Sequence, residues 1–228
     1  MNIVIFTGAG ISAESGIKTF RDSGGLWEEH RIEDVATPEG WKRNSEMVLE
    51  FYNQRRKQAL AAKPNAAHTC IPLLETKYKV QVITQNIDNL HERGGSKKVI
   101  HLHGEIFKSR SSTDSRLVYD IKGWELKLGD TCERGSQLRP NIVWFGEAVP
   151  MMEIAAMIAQ DADIFIVVGT SLEVYPAASL IDIVDDRAEK FLIDPNAKSM
   201  AHISNLRIIK DTAANALPKL VEELLKRQ

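Results

Sequence analysis

The opening strand and turn constrain this chain most. An apolar, β-branched run, Ile3-Val4-Ile5-Phe6, enters Thr7-Gly8-Ala9-Gly10-Ile11-Ser12-Ala13, and a helix can begin at once. A strand passing through glycines directly into a helix brings main-chain N–H groups and a helix N-terminus to one point, which suits a diphosphate. The spacing Gly8-x-Gly10-x-x-Ala13 is close to the dinucleotide fingerprint. The same turn also serves simply to pack a helix tightly on a strand, and spacing by itself leaves both readings open.

Beyond the turn, short β-branched runs alternate with helical patterns. Buried parallel strands are expected at residues 3–6, 80–84, 142–144, 164–169 and 190–193, with a weaker one at 206–209. Helices are expected at 46–61, 65–76, 151–160, 177–187 and 214–226. This alternation predicts an α/β fold, a Rossmann-like doubly wound parallel sheet. Ligands of such sheets bind at the carboxyl ends of the strands, here Thr7-Gly8, Thr84-Gln85-Asn86, Trp144-Phe145-Gly146 and Gly169-Thr170-Ser171. Two excursions, 24–61 and 105–139, predict a small lobe inserted into a core made of 1–23, 62–104 and 140–228, the whole forming one catalytic domain.

Composition narrows the function classes. A chain of 228 residues with 43% hydrophobic content can bury a substantial core. Its net charge of −2 gives no basic field for nucleic acid, and no apolar run has the length of a membrane span. With the first strand at residue 3, no leader peptide is expected. Two cysteines, Cys70 and Cys132, are too few for a secreted disulfide scaffold and point to the reducing cytoplasm. Monomer or oligomer is left open.

Six ordered motifs then carry a family resemblance. They are Gly8-Ala9-Gly10-Ile11-Ser12-Ala13-Glu14-Ser15-Gly16-Ile17; Thr19-Phe20-Arg21; Thr84-Gln85-Asn86-Ile87-Asp88-x-Leu90-His91; His103-Gly104; Leu138-Arg139-Pro140-x-Ile142-Val143-Trp144-Phe145-Gly146-Glu147; and Gly169-Thr170-Ser171-x-x-Val174-x-Pro176. In this order the chain resembles the sirtuins, NAD-dependent protein lysine deacylases, from its first strand to about residue 195. The resemblance implies NAD as cofactor and acyl-lysine proteins or peptides as substrates. It implies that Gly8, Ala9, Gly10 and Ala13 line the diphosphate turn and that Phe20 and Arg21 cover the nicotinamide end. Gln85, Asn86 and Asp88 would hold the nicotinamide ribose and carboxamide, with Asn86 and Asp88 taking part in catalysis beside His103, the general base. Gly169, Thr170, Ser171, Asp194, Asn196 and Ala213 would meet the adenosine half. Val143, Trp144, Phe145, Gly146 and Glu147 would wall a peptide cleft that binds by β-augmentation. The implied chemistry is attack of the acyl-lysine amide oxygen on the ribose C1′, ending in free lysine and 2′-O-acyl-ADP-ribose. A histidine with a pKa of about 6.5 suits the base role.

Each assignment has a plainer rival. His101 competes with His103, and only the His103-Gly104 pair separates them. His68, in Pro64-Asn65-x-x-His68, reads as ordering a helix start, and His91 as a cap or loop residue. Asp88 also fits a helix N-cap, Arg21 a surface ion pair, and Trp144 and Phe145 plain core. An NAD glycohydrolase or ADP-ribosyltransferase on the same fold is the rival function, followed by a non-catalytic binding module.

Three further features refine the resemblance. Tyr52 and Arg55 lie three apart on one helix face, as in the sirtuin class that prefers acidic acyl groups. An Arg fork and a Tyr hydroxyl can grip a carboxylate, predicting desuccinylation and demalonylation above deacetylation. The plainer reading is a solvated basic face running on through Arg56 and Lys57. Second, most sirtuins bind structural zinc through two Cys-x-x-Cys pairs. Here Cys132 is the one cysteine between Gly104 and Leu138, so no zinc is expected, and Ile121, Trp124, Leu126 and Leu128 are expected to hold the lobe by packing. Third, Asp194 stands where the family usually has Asn, and the adenine end near Asp211-Thr212-Ala213 matches loosely.

Overall fold

In the computed structural model, which describes residues 1–18, 26–27, 30–172 and 174–227, the opening run forms β1 (Asn2–Thr7) and leads into a one-turn helix α1 (Gly10–Ala13). Next come β2 (Leu26–Trp27), β3 (His30–Arg31), α2 (Ile32–Val35), α3 (Pro38–Arg43), α4 (Ser45–Ala61) and α5 (Ala66–Cys70). They are followed by β4 (Lys79–Thr84), α6 (Leu90–Arg93), β5 (Val99–His101), β6 (Gly104–Ser111), β7 (Val118–Asp120) and β8 (Leu138–Ile142). The last part holds α7 (Met152–Gln160), β9 (Ile164–Val168), β10 (Glu189–Ile193), β11 (Leu206–Ile209) and α8 (Ala213–Lys226).

β1 is central because it is apolar from Ile3 to Phe6. Ile3 and Ile5 enter a core shared with α5 and α8, while Val4 and Phe6 enter a second core on the opposite face with α7. Successive side chains of a strand point to opposite faces, so such a run needs helices on both sides. The six-stranded sheet runs β11-β10-β9-β1-β4-β5, every pair parallel. The chain builds outward from β1 to β4 and β5, then returns to add β9, β10 and β11 on the other side. Strand order therefore reverses between β1 and β9, where a doubly wound sheet opens its ligand crevice.

The structure corrects several expectations. Residues 142–144 are not a strand of the parallel sheet. β8 ends at Ile142 and pairs antiparallel with β6 in a separate three-stranded sheet, β7-β6-β8. β5 was not anticipated, because three residues make too short an apolar run to register. The expected helix at 65–76 divides into α5 and a 3₁₀ segment (Ile71–Thr76), with Pro72 at the join, where a missing N–H interrupts the α-helical ladder. The expected helix at 177–187 is a 3₁₀ segment, Ala177–Ile183.

The small sheet is tied to the rest by polar side chains of α4. Arg56, fully buried, donates from Nε to the Ile106 carbonyl (2.7 Å) and from Nη1 to Trp124 O (2.5 Å) and Asn53 Oδ1 (2.8 Å). Asn53 in turn donates to Leu126 O (3.1 Å) and accepts from Leu126 N (2.9 Å). Lys57 Nζ sits 3.6 Å from the Trp124 ring centroid. Burial lowers the Arg56 pKa to about 10, which leaves it charged at neutral pH. The plainer reading, a solvated basic face running through Arg56, gives way there to a buried clamp. Packing contributes less than expected, since Leu126 is buried but Leu128 is 50% exposed. Where cysteines are missing, hydroxyls and one thiol interlock: Thr113 Oγ1 lies 2.7 Å from Ser136 Oγ and 3.3 Å from Ser111 Oγ, which accepts from Cys132 Sγ at 3.5 Å.

Candidate active site

The crevice begins where two glycine turns lock together. A Cβ on Gly8 would lie 2.6 Å from Thr170 Cβ, one on Gly10 2.7 Å from Gly169 Cα, and one on Gly169 2.3 Å from the Ile11 nitrogen. Gly169 also has φ +66°, in the left-handed region. The Gly8 and Gly10 amides donate to Val168 O (3.0 Å) and Gly169 O (2.8 Å). These two amides hold the turn closed, and the glycines let the two turns pack against each other. Gly8, Ala9, Gly10, Ala13, Gly169 and Thr170 all line one cavity of about 510 Å³.

The middle of that cavity is polar and buried. His103 Nδ1 lies 3.1 Å from the Gln85 carbonyl, which can only accept, so Nδ1 carries the proton and Nε2 keeps its lone pair. Burial lowers the His103 pKa, only partly offset by that hydrogen bond, and the ring is neutral at pH 7. Gly104 follows by necessity: its φ is +83°, and a Cβ would fall 2.0 Å from Asn141 O. Asn86 and Asp88 are 7% and 6% exposed and share one hydroxyl: Asn86 Nδ2 donates to Ser12 Oγ (3.2 Å), which donates to Asp88 Oδ2 (3.1 Å). Asp88 Oδ1 accepts from Leu90 N (3.0 Å), so the turn-capping reading also holds. Burial raises its pKa against those hydrogen bonds. His101 does not line the cavity. It spans Asn86 O and Glu92 Oε1, each at 2.8 Å; burial lowers its pKa, but the Glu92 hydrogen bond and charge outweigh that and raise it overall.

At one end the cavity reaches α4. Tyr52, fully buried, and Arg55, 8% exposed, both line it. The Trp144 indole N–H donates to Tyr52 Oη (3.0 Å), so the phenol accepts from that side and its own proton points elsewhere. Burial raises the Tyr52 pKa, keeping it a neutral donor. Val143, Trp144, Phe145, Gly146 and Glu147 form the adjoining wall, as a tight turn instead of a strand edge. Gly146 has φ +87°. The Val143, Trp144, Phe145 and Glu147 amides are bonded to His103 O, Glu147 Oε2, Ala36 O and Trp144 O. These four amides are spent within the protein, so β-augmentation at this wall would have to use its carbonyls and the Gly146 N–H. Glu147 accepts from Arg110 and Arg139; burial pushes its pKa up, but these cations and the Trp144 amide hold it below the usual range. Trp144 is buried, so the core reading of that residue is also correct, whereas Phe145 is 48% exposed.

The opposite end holds Asp194, Asn196 and Ala213. Asp194 Oδ1 accepts from Asn196 N (2.8 Å), which shapes its turn. Ser171 is absent from the lining, its Oγ buried and without a hydrogen-bond partner among the described residues. Phe20 and Arg21 lie outside the described residues. Sequence reasoning missed Glu14, which lines this end and accepts from Thr212 Oγ1 (3.1 Å) and Ala214 N (2.8 Å). It also left Ser12 unassigned although Ser12 stands inside the first motif.

Taken with the sheet, these features define an α/β protein with a nucleotide-type crevice at its topological switch point. Residues 8–176 match the Sir2 family. The chain is 51% identical over 227 residues to an NAD-dependent protein deacylase of Helicobacter pylori, covering 99% of this chain and 98% of that one. It is 49% identical to one of Bacteroides thetaiotaomicron, covering 98% of each. Among solved structures, a Sir2 homologue–NAD complex superposes with a TM-score of 0.89 at 37% identity, over 99% of this chain and 90% of the other. A mutant Sir2 homologue bound to 2′-O-acetyl ADP-ribose gives the same TM-score and identity, over 99% and 92%. The chain belongs to the Sir2 family.

Proposed function

We propose that this protein removes acidic acyl groups, succinyl and malonyl foremost, from lysine side chains; at the coarser level it is an NAD-dependent protein-lysine deacylase. One observation supports the reading most: a single cavity joins the glycine turn, His103 with Asn86 and Asp88, and the pair Tyr52 and Arg55. The donor set suits NAD. The interlocked glycine turns line the same cavity as His103, a neutral imidazole whose Nε2 keeps its lone pair, and as a buried carboxamide and carboxylate.

When bound, NAD supplies a ribose carbon activated by a pyridinium leaving group, which the acyl oxygen of the substrate can displace in line. Gly8, Ala9, Gly10 and Ala13 would take its diphosphate, Gln85, Asn86 and Asp88 the nicotinamide ribose and carboxamide, and Gly169, Thr170, Asp194, Asn196 and Ala213 the adenosine. With Nδ1 held on Gln85 O, His103 Nε2 would be the atom to take a proton from a ribose hydroxyl. Tyr52 and Arg55 meet the distal carboxylate of the acyl group. In so dry a setting, a succinyl or malonyl carboxylate gains a charge-assisted hydrogen bond that an acetyl group has no oxygen to make. Trp144, Phe145, Gly146 and Glu147 flank the lysine entry.

The test is mass spectrometry of one peptide carrying acetyl-, malonyl-, succinyl- or glutaryl-lysine, incubated with and without NAD. NAD-dependent release of lysine with O-acyl-ADP-ribose, fastest for the acidic acyl groups, is expected. Free ADP-ribose with intact acyl-lysine would assign the chain to NAD hydrolysis instead.

We further propose that the lobe folds without zinc. Among the described residues no group of three or more His, Cys, Asp or Glu is placed to hold a metal. The clamp made by Asn53 and Arg56 takes over the tethering. Arg56→Leu should cost ~3 kcal/mol and lower Tm by roughly 6–12 °C. A chelator should leave the wild-type Tm unchanged; stoichiometric zinc in the purified chain would overturn the idea. The reducing cytoplasm remains our proposed location, given that Cys70 and Cys132 are both free thiols. No described helix is long and apolar enough to cross a membrane.

A further inference from the structure

We propose that His68 and His91, two buried imidazoles outside the cavity lining, are positioning residues that set the hydrogen-bond direction at Asn86 and Asp88 through Ser12 and Thr7. The inference rests on the reading that Asn86 and Asp88 hold the nicotinamide end of NAD.

The first relay starts at a helix cap. The Asn65 amide donates to His68 Nδ1 (3.3 Å), which must therefore be a lone pair, and the ring proton sits on Nε2. Nε2 lies 3.4 Å from Ser12 Oγ and donates to it. Asn86 Nδ2 donates to the same oxygen at 3.2 Å. With both acceptor sites taken, the single Ser12 proton goes to Asp88 Oδ2, 3.1 Å away. In the other tautomer, His68 would draw the Ser12 proton to itself, and Asp88 would lose a donor.

The second relay fixes the backbone of the same residue. Asn86 N donates to Thr84 Oγ1 (3.0 Å), which also accepts from Thr7 Oγ1 (2.8 Å). Because the Thr7 proton is committed there, His91 Nε2, 2.9 Å from Thr7 Oγ1, must donate. His91 Nδ1 is then left buried with no hydrogen-bond partner among the described residues. An orphaned buried nitrogen is a stability cost that an apolar side chain at this position would avoid. Its retention is explained if the donated bond to Thr7 matters more. The two rings pack edge to face, 5.1 Å apart. Burial lowers the His68 pKa to about 4 and the His91 pKa well below its usual value, so both relays keep their direction across neutral pH.

The rival explanation is that His68 only caps α5. Calorimetric binding of NAD and of ADP, which lacks both nicotinamide and its ribose, separates the two. His68→Leu and Thr7→Val should each weaken NAD about tenfold or more, the scale of a lost hydrogen bond to a buried charged or polar group, while ADP stays within about twofold. His68→Gln should recover most of the loss, because glutamine at this position can accept from the cap amide and still donate to Ser12. Nitrogen chemical shifts of the wild type should show both rings as Nε2–H. Equal losses for NAD and ADP, no loss for NAD, or an Nδ1–H tautomer at His68 would overturn the proposal. Thr7→Val and the tautomer measurement decide the matter even if His68→Leu does not fold. Asp88→Asn tells the two levels apart. If it weakens NAD but His68→Leu and Thr7→Val do not, the relay is wrong; if it has no effect, the nicotinamide assignment falls and the relay with it.

Discussion

Replacing His103 by alanine is expected to cut turnover of an acyl-lysine peptide about 10³-fold, the usual scale for a lost general base, while NAD affinity stays within about threefold. The expectation follows from how the ring is held. Its Nδ1–H is committed to Gln85 O at 3.1 Å, so Nε2 is the one nitrogen available to accept a proton, on a ring that lines the cavity. Burial lowers its pKa from the ordinary imidazole value. The sign for activity follows. A base works only unprotonated, so the acidic limb of kcat/KM for the wild type should lie below pH 6.5, with a plateau through pH 7. Steady-state rates across pH 5 to 8, with calorimetric NAD binding for both proteins, check this. An alanine variant of undiminished kcat, or a limb well above pH 6.5, would remove His103 from the reaction.

The second large effect is on substrate choice. Arg55→Met should reduce desuccinylation by on the order of 100-fold and deacetylation by less than about threefold. Arg55 is 8% exposed and lines the cavity beside Tyr52, whose hydroxyl oxygen is held by the Trp144 indole. A guanidinium in such a place gains most when a carboxylate arrives and gains nothing from a methyl group. Rates on succinyl- and acetyl-peptides for wild type and variant are the measurement. Equal proportional losses would reduce Arg55 to a structural residue of α4.

Much of this site was legible before any coordinates. The glycine turn, Asn86, Asp88 and His103 stand in short motifs whose local chemistry is specific, and all of them line the cavity. What the motifs concealed was the second use of each group. Gly8 and Gly10 were read as lining a diphosphate turn, and their amides also hold that turn closed on Val168 and Gly169. Asp88 caps a turn as well as facing the cavity. Trp144 was placed in a sheet strand because Ile142, Val143 and Trp144 make an apolar run, but the chain turns there through Gly146. Arg56 beside Lys57 looked like a solvated pair. Only the arrival of Ile106, Trp124 and Asn53 shows why one is buried and the other lies over an aromatic ring.

The amino-acid order alone determined the alternating strands and helices, the sharp glycine turns, and the types of side chain available for chemistry, because period-two burial and turn preferences act over a few neighbours. Tertiary structure decided which imidazole faces the crevice and which way the proton of Ser12 points. It also decided how the lobe is tethered. Those outcomes depend on partners far apart in the sequence, as in Ser12 with His68, 56 residues away, and Asn53 with Leu126, 73 residues away. A buried polar group must satisfy whichever partner folding delivers to it, and no local pattern records that partner.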